Sequence, residues 1–338
     1  MADLKNTTIN DVGFITNAVG TTAQRPSAPE IGMTRINTDR LSTPVLEFWD
    51  GTGWEVFGGF DPIVASGGNI LGYNDGGTNY KIHEFTSSGT FQVTNTGSSN
   101  EVEYLIVAGG GSGGVDNGGG AGAGGLITGT ATIAVQSYTV TVGGGGPARA
   151  GSADDGPGSD GNNSSALGIT ALGGSGGTGW ANSSLPSGNN NYSGGSGAGQ
   201  SCSTSGGNPN GIGTGTAGQG NNGGAANPPY AGGGGGAGGS GQAGNSTTGG
   251  TGGIGLTISF ADDNEYYAGG GTGGWDVNSG ASISGTPGSN NETPKRGNIQ
   301  AGEQACPPNT GHGGHGGNHN NETSGAGGSG IVMIRYTV

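Results

Sequence analysis

Apolar and polar residues alternate in only a few stretches of this chain, and those stretches predict its strands. Tyr80 and Ile82 alternate with Asn79, Lys81 and His83 in TNYKIHEFT, Phe91 and Val93 alternate with Gln92 and Thr94, and Val102, Tyr104 and Ile106 fall on one face of EVEYLIV. A period of two marks a half-buried strand, so 78–108 is expected to form β structure. ATIAVQSYTVTV at 131–142 predicts a further strand pair, and the apolar run IVMIRYTV at 331–338 a last strand. A chain that leaves its sheet at Val107 and returns as a strand at Ile331 is expected to pair that strand back near the 78–142 sheet. The two ends of everything in between would then be clamped together.

Upstream, alternation is weaker. Met33, Arg35, Ile36 and Asn37, then Leu46, Glu47 and Phe48, bracket turn signals at Asp39 and at Asp50-Gly51, which predicts a small β-hairpin unit over 1–60. Residues 61–75 read as a linker, and 76–338 as the second domain. Met33, Ile36, Leu46, Phe48, Trp49, Trp54, Val56 and Phe57 are too many large apolar groups to expose and too few to close a core of that size. Sharing them around a symmetry axis answers both problems, so the N-terminal unit is expected to oligomerise.

Composition changes the picture for 109–330. Glycine supplies 87 of the 338 residues, in runs such as AGGGGGAGGSG. A tract this poor in side chains builds no ordinary core, and each glycine loses more backbone entropy on folding than any other residue. Collagen is excluded, because strict Gly-X-Y periodicity is absent and proline totals only 14. The expectation is a bundle of extended threefold helices, rising about 3.1 Å per residue, whose bare backbones hydrogen-bond to one another as in polyglycine II. Disorder is the alternative. The fold class is therefore all-β and irregular, with a small N-terminal β module, a β-sheet clamp and a polyglycine-II-type bundle with surface loops, and no substantial α-helix.

A formal net charge of −14 argues against nucleic acid and anionic membranes as partners. No apolar run approaches the roughly 18 residues of a membrane-spanning helix, and the start MADLKNTTINDVGF lacks the basic patch and hydrophobic stretch of a secretory signal. Cys202 and Cys306 are expected either as one disulfide, in the chain-entropy picture worth about 4 to 5 kcal/mol for so long a loop, or as two thiols.

Chemistry-bearing clusters are few. His312, His315 and His319 invite a metal reading, but residues three apart in an extended threefold helix lie about 9 Å apart along its axis, too far to share one ion with bonds near 2 Å. They are expected as outward side chains of GGX triplets. Asp154, Asp155 and Asp160 lack the spacing of a calcium loop. No Gly-x-Ser-x-Gly or phosphate loop sits between a strand and a helix, and no pair of carboxylates marks a glycosidase; no enzyme and no cofactor are expected. Aromatic residues isolated among Asn, Ser and Pro are more suggestive. Trp180, Tyr192, Tyr230 and Trp275 suit a sugar, whose C–H face lies on a ring while amides hold its hydroxyls. Equally, such rings suit caps on the ends of glycine helices.

Two resemblances bear on function. Arg25, Pro26, Pro29, Gly32, Met33, Arg35, Asn37, Thr38, Trp49, Asp50, Gly51 and Trp54 resemble a module of phage tail-fibre and virion proteins, which implies an attachment segment and a homotrimer. YKIHEFTSSGTF, VEYLIVAGGGSGG, YTVTVGGGG, YYAGGG and GGSGIVMIRY, across 78–338, resemble the glycine-rich domain of tail-fibre proteins of aquatic phages, and the architecture is similar to that of glycine-rich adhesins at fibre tips. The resemblance implies a virion-associated receptor-binding protein, extracellular after release, that attaches to a host glycan or outer-membrane receptor through loops on the bundle. The alternative is a purely structural fibre or capsid-decoration protein with a stiff glycine-rich rod. Ice binding fits less well, because the outward residues mix Asn, His and Ala.

Overall fold

The computed structural model describes residues 17–40, 44–57, 62–150, 156–179, 192–202, 211–261, 264–274, 306–318 and 323–338. The chain divides into two compact units, 1–62 and 63–338. Its described elements are strands apart from one short 3-10 turn, Thr22–Gln24, in agreement with the all-β expectation.

In the first unit, β1 (Ala18–Gly20), β2 (Thr34–Asn37), β3 (Val45–Trp49) and β4 (Trp54–Val56) form one sheet in that order. Its centre is polar. Glu47, with no side-chain exposure, pairs with Arg25 at 2.6 Å and lies 3.7 and 3.5 Å from the guanidinium nitrogens of Arg35 and Arg40. Asn37 Nδ2 donates to both Glu47 carboxylate oxygens at 3.2 Å. The apolar positions read as a shared core are divided: Trp54 is buried, whereas Met33 and Phe57 are exposed.

The second unit opens with strands where a linker was expected. β5 (Val64–Ser66) and β6 (Asn69–Asp75) occupy most of 61–75, so that stretch belongs to the unit and connects nothing. β7 (Thr78–Phe85), β8 (Gly89–Asn95) and β9 (Glu101–Val107) follow as expected. The pair expected at 131–142 starts earlier, as β10 (Leu126–Thr132), and continues as β11 (Ser137–Val140). Two short hairpins, β12 (Ser164–Ala166) with β13 (Ile169–Ala171) and β14 (Leu256–Ser259) with β15 (Asn264–Tyr267), precede the last strand, β16 (Ile331–Thr337).

β16 returns to the middle of the sheet. The order is β10-β9-β16-β7-β6, antiparallel throughout, with Ile331 opposite Val107 and Val332 opposite Phe85. Side chains of alternate parity enter two cores. Tyr104, Ile106, Val332, Ile334 and Phe85 pack with Phe91 and Val93 of the β11-β8-β5 sheet, while Leu105, Val107, Ile331, Met333 and Ile82 pack with Phe260 and Tyr267 around the β14–β15 hairpin. A strand covered on both faces has no polar side to show, which explains the unbroken run IVMI.

Between the strands that follow Gly109, the described glycine-rich segments run as extended rods without ladder pairing. Their order lies in the main chain. The N–H groups of 109–115 donate in strict rotation to three neighbours: Gly109, Ser112 and Val115 to Asn162, Ser159 and Gly156; Gly110 and Gly113 to Gly328 and Gly325; Gly111 and Gly114 to Gly122 and Gly119. Its carbonyls accept from three others, at Gly174 and Gly177, at Gly146, and at Gly314 and Gly317. Period three with six hydrogen-bonded neighbours is the polyglycine-II arrangement. Rods 118–125 and 230–237 are surrounded in the same way. Backbone polar groups buried away from water are thus satisfied by other backbones. Close approach is what demands glycine here: a Cβ on Gly113 would overlap the carbonyl of His315.

Candidate functional site

The hydrogen-bond register gives the rods two ends. Residues 108–111, 122–125, 172–174, 311 and 328–330 are bonded to one another beside the sheet, whereas 114–119, 178, 202, 274 and 317 form the opposite, distal end. Three kinds of described turn close that end. Asp116 and Asn117 take left-handed conformations, with φ of 55° and 53°, where 109–115 hands over to 118–125. Asn227 and Tyr230 exchange backbone hydrogen bonds at 2.8 and 2.9 Å. Asn245 Oδ1 accepts from the N–H groups of Thr247 and Thr248, each at 2.8 Å. Asp-Asn-Gly and Asn-x-Thr-Thr are ordinary turn signals, and they are the sequence cue to this end that the aromatic residues do not supply. The chain also leaves the distal end at Gly179, Cys202 and Gly274, each of which ends a described segment.

The aromatic candidates divide. Tyr192 and Tyr230 are buried, at 9% and 4% exposure, so neither ring is presented to a receptor. Tyr230 stands at the distal start of the 230–237 rod, with its backbone and Cβ against Gly244. Trp180 and Trp275 lie outside the described residues.

His312 is not an outward GGX side chain. His312 is 1% exposed, its Nδ1 accepts from the Gly269 N–H at 2.8 Å, and its ring lies 5.5 Å from that of Tyr266. The 311–317 rod is hydrogen-bonded to 111–114, 118–124, 269–272 and 325–329, and the His312 ring is enclosed among these neighbours. His315 is half-buried, with Nδ1 3.2 Å from the Gly316 carbonyl; His319 lies outside the described residues. Among the described residues no three His, Cys, Asp or Glu side chains come together as a metal site. Asp160 accepts from the Gly176 N–H at 2.7 Å and so serves a backbone donor, while Asp154 and Asp155 lie outside the described residues. Cys202 and Cys306 are not joined as a disulfide. Each thiol has its own acceptor, the Pro229 carbonyl at 3.0 Å and the Gly313 carbonyl at 3.3 Å.

Buried titratable groups near the sheet are tuned by desolvation. Burial pushes Tyr266 up to about 12, against the Gly255 N–H that donates to its hydroxyl. The exposed side chains of the described distal turns, Asn227, Asn245 and Thr247, are uncharged donors and acceptors.

A family model described as a glycine-rich domain matches residues 86–337. No curated protein matches the chain.

Proposed function

We propose, for a chain that belongs to the glycine-rich domain family, that it is a virion-associated receptor-binding protein of the tail-fibre kind, binding a host-surface glycan or outer-membrane receptor without cutting it. The observation that carries this reading is the segregation of the second unit. Rods 109–115, 118–125, 172–179 and 268–274 each adjoin a strand at one end, and the opposite end collects the turns at Asp116-Asn117, Asn227–Tyr230 and Asn245–Thr248. A main-chain scaffold of this kind holds its tip rigidly while leaving the tip's side chains free to specify a partner. The first unit, with Met33 and Phe57 exposed, is assigned to attachment and to a homotrimer.

The test is adsorption of labelled protein to bacterial surface glycans. Retention with no released oligosaccharide is expected, and Trp180→Ala with Trp275→Ala should weaken it. Steady depolymerisation overturns the reading. The burial of Tyr192 and Tyr230 favours the second reading, a stiff structural rod, and unchanged adsorption of the tryptophan variants would select it.

A further inference from the structure

We propose that the open face of the β1–β4 sheet is the seam of a threefold assembly, in which it meets the same face of two further copies of this chain. The inference rests on the homotrimer assigned to the first unit and says which surface closes it.

Strand register divides the side chains of this sheet, because residues paired across neighbouring strands share a face and successive residues alternate between faces. Arg35, Asn37, Glu47 and Trp54 fall on one side. That side is covered: all four are buried, and Arg35 Nη2 and Asn37 Nδ2 donate at 3.1 Å to the Thr21 carbonyl and to Thr22 Oγ1. Val19, Ile36, Leu46 and Phe48 fall on the other side. Phe57 joins them, since its N–H donates to the Leu46 carbonyl at 2.7 Å and its ring meets that of Phe48 edge-on, with centroids 5.7 Å apart. This second side is open. Val19 and Phe57 are 64% and 62% exposed, and Ile36, Leu46 and Phe48 are half-buried. A sheet open to water on one side turns its polar residues outward; here the order is reversed.

Charge, size and strand order together select the occupant. Among the strand positions on the open side, Glu55 is the one charged residue, and it stands on β4, at the margin of the sheet. Identical faces can therefore meet without like charges opposed at their centre, although the chain carries a net charge of −14. Trp54 is the one large apolar residue buried among the described residues of 1–62. A unit so small depends on apolar burial that it does not make internally, so its cover must be present whenever the chain folds. Another copy is the partner that synthesis of the chain itself supplies, and obligate assemblies of this kind often have no stable folded monomer. Ile36, Leu46 and Phe48 stand on the two central strands, with Val19 and Phe57 at opposite margins. Three such faces set as the walls of a prism bring the central side chains to the axis. Val19 of one copy then lies against Phe57 of the next, the head-to-tail contact that a threefold ring requires.

Light scattering on the full chain tests the seam. Three copies are expected, and Val19→Asp with Phe57→Asp, which puts charge on both margins, should lower the mass roughly threefold. Ile31→Asp, on the exposed turn before β2, should leave the mass unchanged. Oxidation of Val19→Cys with Phe57→Cys decides the matter if the aspartate variant does not fold: the pair should link three copies covalently, and neither cysteine alone should do so. A monomeric full chain overturns the homotrimer and the seam together. A trimer untouched by the aspartates, equal loss with Ile31→Asp, or covalent linkage that stops at two copies overturns the seam alone.

Discussion

The hydroxyl of Tyr336 lies 3.0 Å from Nε2 of His83, across 253 residues of sequence. His83 Nδ1 faces the Gly67 carbonyl and must donate its proton there, so Nε2 accepts from Tyr336. The imidazole is held neutral between the last strand and the β5–β6 bend. Burial lowers its pKa below the ordinary 6.5, the Gly67 carbonyl opposes that, and Lys81 on the same strand adds to the lowering. Phe91, from β8, covers its edge with ring centroids 5.0 Å apart.

A pH dependence follows, with its sign fixed. The unfolded chain takes up the His83 proton first, so stability is full above about 6.5 and falls as pH drops through that value, with a slope of up to about 1.4 kcal/mol per pH unit. Burial raises Tyr336 to about 12, so its contribution is complete below pH 10 and is lost as pH rises toward 12. His83→Gln should flatten the acid limb, and Tyr336→Phe should cost about 1–3 kcal/mol. Denaturant unfolding of the second unit between pH 5 and 11 checks all three.

Glu47 is expected to decide the stability of the first unit. Burial raises its pKa, but the hydrogen bonds from Arg25 and Asn37 and the charges of Arg25 and Arg35 outweigh that and hold it below the usual range. Its contribution is therefore present at neutral pH and lost as pH falls through the lowered native value. Glu47→Gln leaves Arg35, only 4% exposed, without its counter-charge. Breaking a buried pair costs about 3–5 kcal/mol, enough to unfold so small a unit. Calorimetry should show the transition of 1–62 vanish while that of 63–338 stays.

Within the bundle, two glycines should respond oppositely to alanine. Gly113→Ala drives a methyl into the His315 carbonyl and should cost about 3 kcal/mol or more, since backbone cannot yield as a side chain can. Gly144→Ala meets only Asn162 Nδ2 at 3.7 Å, ordinary contact, and should be neutral or stabilising by up to about 1 kcal/mol through the unfolded state. Equal effects would contradict the packing described.

Removing residues 1–62 tests the division of labour. A chain beginning at Ile63 retains β5–β16 and is expected to be folded and monomeric by light scattering, while the full chain is trimeric. A shortened chain that is still trimeric would refute the assignment of assembly to the first unit. A cut at residue 76 would remove β5 and β6 and destabilise the sheet itself.

Strands β7, β8, β9 and β16 were legible because their side chains meet a core, and burial leaves an apolar pattern. The central place of β16 could be read from IVMI for the same reason. β6 was not legible: NILGYND lies at the sheet edge with Ile70 half exposed, and carries little alternation. The burial of Tyr192, Tyr230 and His312 was hidden more deeply. Their neighbours are main-chain atoms of remote rods, and the rotational phase of one rod against another leaves no mark in residue type. Turn chemistry at Asp116-Asn117 and Asn245 was visible, but its collection at one end depends on the rod register.

The six contacts around 109–115 are made by main-chain N–H and C=O groups, which every residue type but proline carries. Such an interior holds no record of which side chains stand at the rod ends. Exposed turn positions such as Ser246 and Thr247 can therefore change residue type while the main-chain contacts of the rod interior stay as they are.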